Sequence, residues 1–264
     1  MTTTPGTPYV SEARWEGAAL LRPGVLAFRG SIGTTDGHAH HAVQIIIAAT
    51  ALTVLDGAGG RHRGTGLIVP ADAPHKIETV AEKGCVVFLD PESAPGRAAH
   101  RRTMSAGWTT DPVLADPQPR RPLAAVVADI VERLTPIATA AEPPAQHPAV
   151  AAAIRLLPTL VGAGTVRGAD VAALVGVSAS RLTHLFTDQM GITLRRYVLW
   201  LRLQTVITRV KAGDDLTDAA HAAGFADSAH LTRTCRDMFG LPPSVMSRHV
   251  SWDIDEESSR IIQA

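Results

Sequence analysis

The sequence predicts an α+β chain in two parts, a small β-barrel or jelly roll followed by an all-α domain. Three observations carry that expectation. Between residues 20 and 90, short apolar runs at Val43 to Ile47, Ala51 to Leu55, Gly66 to Val69 and Val86 to Leu89 are punctuated by Gly, Asp and Pro, the spacing of strands in a compact all-β fold. Between residues 165 and 246, apolar positions recur with a helical period, and a pattern of helix, glycine turn and helix occurs twice. With 264 residues the chain is long enough to bury two separate cores.

The first residues, Met-Thr-Thr-Thr-Pro-Gly-Thr-Pro, lack a basic stretch followed by an apolar run, so no secretory leader is expected. Ala42 to Leu55 is the longest apolar stretch, but Gln44 and threonines interrupt it and it is too short to cross a bilayer. A cytoplasmic protein with no membrane partner follows as the expectation. Cys85 and Cys235 are the two cysteines and show no Cys-x-x-Cys spacing, which argues against a disulfide framework or a structural zinc site. The formal net charge is +0, yet it is unevenly spread. Residues 145 to 250 carry eleven Arg or Lys against seven Asp or Glu, and residues 1 to 97 carry eight against nine. A modest positive excess thus lies in the helical part.

Within the strand-rich part, His38-Ala-His40-His41-Ala-Val-Gln44 runs directly into an apolar strand. Strand side chains alternate, so His38, His40 and Gln44 share one face, and His41 shares the other with Val43 and Ile45. Later, Gly64-x5-Pro70-Ala-Asp72-x2-His75 brings a third histidine to a strand end. These two segments resemble the paired motifs of cupins. The resemblance implies a cupin-like β-barrel whose metal ligands are His38, His40, Gln44 and His75. Three imidazoles and one oxygen suit one divalent ion, Zn, Ni, Fe or Mn. Gln44 stands where the motif has a carboxylate, Ala51 where it closes on Gly, and Asp72 where the second motif has Gly. The other reading keeps the same histidines as hydrogen-bonding groups of a polar pocket, whose mouth is then the expected small-ligand site.

Residues 91 to 120, rich in Pro, Gly, Ala and Arg, read as an irregular connection. After Pro122, the residues Leu123, Val126, Val127, Ile130, Leu134 and Ile137 form a helical stripe that could pack on its own barrel or on a second copy of the chain, the second copy being the favoured role. Glu142-Pro-Pro-Ala-Gln-His-Pro reads as an interdomain linker, and Ala149 to Leu160 as the next helix. The expected division is 1–97 for the barrel, 98–144 for linker and dimerisation helix, 145–250 for the helical domain and 251–264 for an acidic, loosely ordered tail.

In the helical part, Gly168 to Phe186 places Gly176 at an inter-helix turn, with Val171, Ala172 and Val175 before it and Val177, Leu182, Leu185 and Phe186 after it. Ser178 is placed to cap the second helix. Leu216 to Phe239 repeats the plan around Gly224, with Ala219, Ala220 and Ala223 inside and Leu231, Cys235 and Met238 or Phe239 shifted one residue later. Between the two units, Leu194 to Ala212 can form about nineteen helical residues, near 28 Å, comparable to one turn of B-DNA.

Ala-Gly-Phe-Ala-Asp-Ser-Ala-His-Leu-Thr-Arg followed by Phe239-Gly-x-Pro-Pro resembles the hallmark of AraC/XylS-type transcriptional regulators. The resemblance covers about the last 110 residues and implies two recognition helices entering successive major-groove segments of duplex DNA. The positions matching its base-facing ones are Ser180, Thr183, His184, Ser228, Ala229, Thr232 and Arg233. Arg233 has the fork geometry for guanine O6 and N7, or it could pair with Asp227 inside the domain. Arg195 and Arg196 are expected as solvated charges flanking the linker helix. The expected partners are operator DNA, a small-molecule or metal effector, a second copy of the chain and RNA polymerase. A DNA-binding protein whose barrel only dimerises and a metal-dependent cupin enzyme with a DNA-binding appendage are the alternatives. No general acid and base pair stands out near the histidines, so an enzyme is not expected.

Overall fold

The computed structural model describes residues 17–108, 121–134, 146–190, 192–244 and 250–253. Its first part is a seven-stranded sheet. In chain order the strands are β1 (Gly17–Arg22), β2 (Val25–Ile32), β3 (Val43–Asp56), β4 (Arg61–Val69), β5 (His75–Ile77), β6 (Ala81–Leu89) and β7 (Val250–Asp253). They are arranged β4-β3-β6-β2-β1-β7, with β5 also on β3. The sheet is open, since its edge strands β4 and β7 are not paired with each other among the described residues. The runs at Val43 to Ile47 and Ala51 to Leu55 belong to one 14-residue strand rather than two. Its first half pairs with β6 and its end with β5, and the β4 register breaks between Ile47 and Leu52. Such an irregularity bends a strand. The bend lets one strand turn the corner that two strands and a loop were expected to make.

Both faces of the sheet are buried. One face, with Leu20, Ala27, Val43, Ile45, Val87 and Leu89, packs on helices α1 (Ala94–Ala106) and α2 (Leu123–Leu134). Helix α1 corrects the reading of residues 91 to 120 as irregular, and it runs across residue 97. Its turn-like residues are the ones that start it. Ser93 caps it by accepting from the Gly96 N–H, and Pro95 sits in the first turn, where its missing N–H costs nothing. Gly96 lies so close to the Asp90 carbonyl that a Cβ would come within 2.0 Å of that oxygen. The stripe of α2 is likewise corrected. Leu123, Val126, Val127, Ile130 and Leu134 are buried against the chain's own sheet, not offered to a second copy. Ile137 lies outside the described residues.

The helical part comprises α3 (Pro148–Gly162), α4 (Gly168–Leu174), α5 (Ala179–Met190), α6 (Leu194–Lys211), α7 (Leu216–Ala222) and α8 (Ser228–Phe239). Its core is continuous with the other face of the sheet, where Leu21, Leu26, Ile46, Val86 and Phe88 meet Trp200, Leu203 and Phe239. Phe239 lies edge-on to Phe88 at 5.6 Å and tilted against Trp200 at 5.5 Å. Polar contacts fix the same seam. Asp90, fully buried at the end of β6, accepts from Arg196 Nε at 2.8 Å and Trp200 Nε1 at 2.9 Å. Gln204 donates to the Leu21 carbonyl at 2.8 Å. Arg196 is therefore not the solvated charge expected, because its side chain is only 16% exposed and serves this pair. The strand β7, in the segment read as the start of a loose tail, returns to pair with β1 in parallel; residues 254–264 are outside the described set.

Removing one partner of a buried ion pair leaves the other desolvated and uncompensated, a loss of about 3 to 5 kcal/mol. Asp90→Ala is therefore expected to lower unfolding free energy by roughly that amount in urea titrations, and Arg196→Ala in the Asp90→Ala background should add little. Additive losses would show that the two groups do not act as a pair.

Candidate functional site

The two helix pairs share one backbone device. After α4, Gly176 has φ 73°, and the Val177 N–H donates back to the Ala172 carbonyl at 3.0 Å. After α7, Gly224 has φ 78°, and the Phe225 N–H donates to the Ala220 carbonyl at 3.0 Å. A bond spanning six residues around a left-handed glycine closes a helix end and turns the chain sharply. Val171, Ala172, Ala219, Ala220 and Ala223 are buried at the crossings, and Leu182, Phe186, Leu231, Cys235, Met238 and Phe239 fill the second helices' inner faces. Ser178 caps α5, accepting from the Arg181 N–H at 3.2 Å. Asp227 caps α8 through the His230 N–H at 2.5 Å. The second connection is one residue longer, as the shifted stripe predicted. Burial pushes the Cys235 thiol up to about 12, so at neutral pH it is a packed apolar group rather than a thiolate.

The predicted histidines converge on the face of the sheet that meets the helical part. One ring nitrogen from each of His38, His40 and His75 lies within 4.8 Å of the others. His38 and His75 form an isolated bridge, and their ring centroids are 4.4 Å apart. In all three the Nδ1 atom lies on a backbone carbonyl two residues away, Asp36 for His38 at 2.8 Å, Ala42 for His40 at 3.0 Å and Ala73 for His75 at 2.9 Å. A carbonyl only accepts, so each Nδ1 carries the proton, and in the neutral ring Nε2 keeps its lone pair. That is the outer-shell arrangement that orients metal-binding histidines. Among the described residues, the His75 Nε2 is buried with no hydrogen-bond partner. Gln44, also buried, places its side-chain oxygen Oε1 3.3 Å from His40 Nε2, so a lone pair on that nitrogen requires the amide to be turned to present its NH2 group instead. His41 points elsewhere, donating through Nδ1 to the exposed Asp72 carboxylate at 3.0 Å. Asp72 itself has φ 61°, the left-handed conformation for which the cupin motif carries Gly.

A model for a helix-turn-helix domain matches residues 171–249 of the chain. Those residues form an AraC-type DNA-binding domain. No characterised protein matches the chain by sequence. Among solved structures, the chain is similar to an AraC-type transcriptional regulator from Chromobacterium violaceum, at 25% identity over 44% of this chain and 94% of that one, TM-score 0.34. It is also similar to ToxT from Vibrio cholerae bound to an unsaturated fatty acid, at 12% identity over 87% of this chain and 96% of that one, TM-score 0.42. A third is the C-terminal domain of AraT, a response regulator from Geobacillus stearothermophilus, at 15% identity over 39% of this chain and 87% of that one, TM-score 0.37.

On the AraC-type domain, Ser180, Thr183, His184, Ala229 and Arg233 are exposed, and Ser228 and Thr232 are half-buried. The hydroxyls of Thr183 and Thr232 donate to the carbonyls of Ala179 and Ser228, one turn back. Arg233 has no ion pair among the described residues, and the Asp227 carboxylate is engaged as the cap of α8. Between the two helix pairs a cavity of about 920 Å³ opens, lined by Thr183, Arg195, Arg196, Arg202, Phe225 and His230 among others. Two arginine nitrogens at this place, Arg196 Nη2 and Arg202 Nε, are buried without a hydrogen-bond partner among the described residues. No helix among the described residues is long and apolar enough to cross a membrane.

Sequence reasoning found the histidines and the glycine turns but not what closes the histidine cluster or what anchors α6. Asp90 reads as the end of a strand before Pro91, and nothing local marks a carboxylate as buried. The only available signal was a lone acid closing an apolar run, Val86 to Leu89, which does not name a partner.

Burial pulls His40 down from 6.5 to about 4, with the neighbouring His38 a second cause, and pulls His75 down to about 3. Both folded values lie below the unfolded one, so the unfolded chain binds more protons in the interval. The contribution of these rings to stability is full above about pH 6.5 and is lost as the pH falls through about 4 and then about 3. Metal-free protein is therefore expected to melt at progressively lower temperature on acidification through this window, and His75→Gln should flatten part of that slope. An identical slope in the variant would contradict the assignment.

Proposed function

We propose that the AraC-type domain reads duplex DNA with α5 and α8, and that the sheet-rich domain governs it through a ligand, a divalent metal ion held by His38, His40 and His75 beside Gln44. The DNA reading is carried by one observation. Two second helices, α5 and α8, carry exposed polar residues on their outer faces and are joined in the chain through the 18-residue helix α6, about 27 Å long, near the spacing of successive major-groove segments. Arg233 is the strongest candidate for base contact, since it is exposed, has no ion pair among the described residues and is able to make two parallel bonds to guanine. Thr183 and Thr232, whose hydroxyl protons are turned to their own helices, are better suited to accept contacts or touch phosphate. Dimerisation would have to use a surface other than the apolar stripe of α2.

Arg233→Ala is expected to weaken operator binding by about 1 to 3 kcal/mol and to relax preference at one base pair. Fluorescence anisotropy across single-base operator variants, with circular dichroism as the folding check, decides this. Unchanged affinity and unchanged preference would remove Arg233 from the reading set.

The metal reading rests on the chemistry of the donor set. Three rings keyed by carbonyls at Nδ1 bring one nitrogen each within 4.8 Å of the others, and among the described residues the His75 Nε2 is buried and unpartnered, a state that costs free energy unless something binds there. When bound, a divalent ion would supply the charge that holds the three rings in one geometry. Any such effector shifts DNA affinity by the same coupling free energy with which DNA shifts its own. His40→Ala is expected to weaken zinc binding by more than about 100-fold, beyond the loss of an outer-shell partner, and His41→Ala to leave it unchanged. Calorimetric titration with zinc chloride measures both, and equal losses from the two substitutions would defeat the assignment.

A further inference from the structure

We propose that the C-terminal turn of α8, the second reading helix, is the lid of the histidine site, so that metal occupancy and the docking of that helix on the sheet strengthen each other. This rests on the metal reading above and adds a wall to the site from Gly240, which lies 165 residues beyond His75 and 200 or more beyond His40 and His38.

The turn is seated on the histidine rings themselves. Gly240 ends α8 in the left-handed conformation, φ 72°, with its N–H on the Arg236 carbonyl. A Cβ added to it would lie 2.3 Å from His38 Cδ2, 2.6 Å from His38 Nε2 and 3.2 Å from His40 Cδ2. Such distances are below van der Waals contact, so only a bare Cα fits against these two ligands. One residue earlier, Phe239 packs on Phe88, whose ring in turn lies edge-on to His40 at 5.3 Å. Two residues before that, the Asp237 carbonyl accepts from the His41 backbone N–H at 2.7 Å, pinning the helix end to the histidine segment. The glycine is thus required twice, once by its backbone angle and once by the rings beneath it.

The sign of the coupling follows from which ligand the lid touches. His40 and His75 are buried, while His38 is half-buried and forms most of the surface under Gly240. Coordination through Nε2 would hold the His38 ring in the orientation against which the turn fits, where the unliganded ring is fixed only by the bond from its Nδ1 to the Asp36 carbonyl. The factor by which the ion favours docking is the factor by which docking favours the ion. Docking also sets where α8 stands, so site occupancy would be read at the DNA as the fixed or loosened placement of the second reading helix relative to α5.

The test compares Gly240→Ala with Gly176→Ala in the full chain. Both glycines have φ near 72° to 73°, so both variants carry the same backbone strain, but nothing lies within 4 Å of a Cβ at Gly176. Zinc chloride titration should show Gly240→Ala weakened about tenfold, the scale of an outer-shell loss, and Gly176→Ala unchanged. In the wild type, saturating zinc should slow amide exchange in the last turn of α8 about fivefold or more. Wild-type zinc affinity in Gly240→Ala, or exchange in α8 indifferent to zinc, overturns the lid and leaves the metal site standing. A wild-type protein that binds no zinc overturns both.

Discussion

The placement of the helical part on the sheet turns on one buried carboxylate. A charge removed from water costs several kcal/mol unless it is paired and hydrogen-bonded, and Asp90 has no exposure at all. Its donors, Arg196 and Trp200, both belong to α6 and lie one turn apart. A sheet that ends in Asp90 therefore cannot settle without α6 lying across it at one axial position. That constraint propagates, because α6 also joins the two helix pairs in the chain. Gln204, another turn along, then takes the Leu21 carbonyl, so successive turns of one helix are registered against the end of β6 and the β1–β2 hairpin.

The AraC-type domain was legible in the sequence because its determinants are local. A glycine forced into a left-handed turn, small residues at a helix crossing and a capping Ser or Asp each announce themselves within a few residues. Gly176, Gly224, Ala172, Ala220 and Ser178 all sit where their neighbours require them. The one-residue shift in the second unit could be read for the same reason. The histidines were legible from their motif-like spacing, but the strand parity expected for them does not apply, because His38 and His40 precede β3 rather than lie in it; their convergence depends on the bridge between His38 and His75.

What stayed hidden depends on contacts distant in sequence. The helix α1 was disguised by Pro95 and Gly96, residues that usually mark loops but serve here at a helix start. The apolar stripe of α2 was visible, but a stripe does not say which surface it meets, and the uncovered face of its own sheet was the nearer one. The open sheet, rather than a closed barrel, reflects the same limit. Alternating strands predict a buried face, and that face is covered here by Trp200, Leu203 and Phe239 from the far end of the chain, which removes the need for the strands to cover it themselves.

The pairing of β7 with β1 gives the molecule an insertional topology. The sheet is begun by residues near the start of the described chain and completed by Val250–Asp253, with all six helices of the second part threaded between β6 and β7. The two parts are thus successive in sequence only up to residue 249. A single chain break between α2 and α3 would nick the molecule without freeing its halves, since the C-terminal fragment still carries a strand of the N-terminal sheet. Heat should likewise melt both parts in a single transition, because neither can leave without stripping an edge from the other.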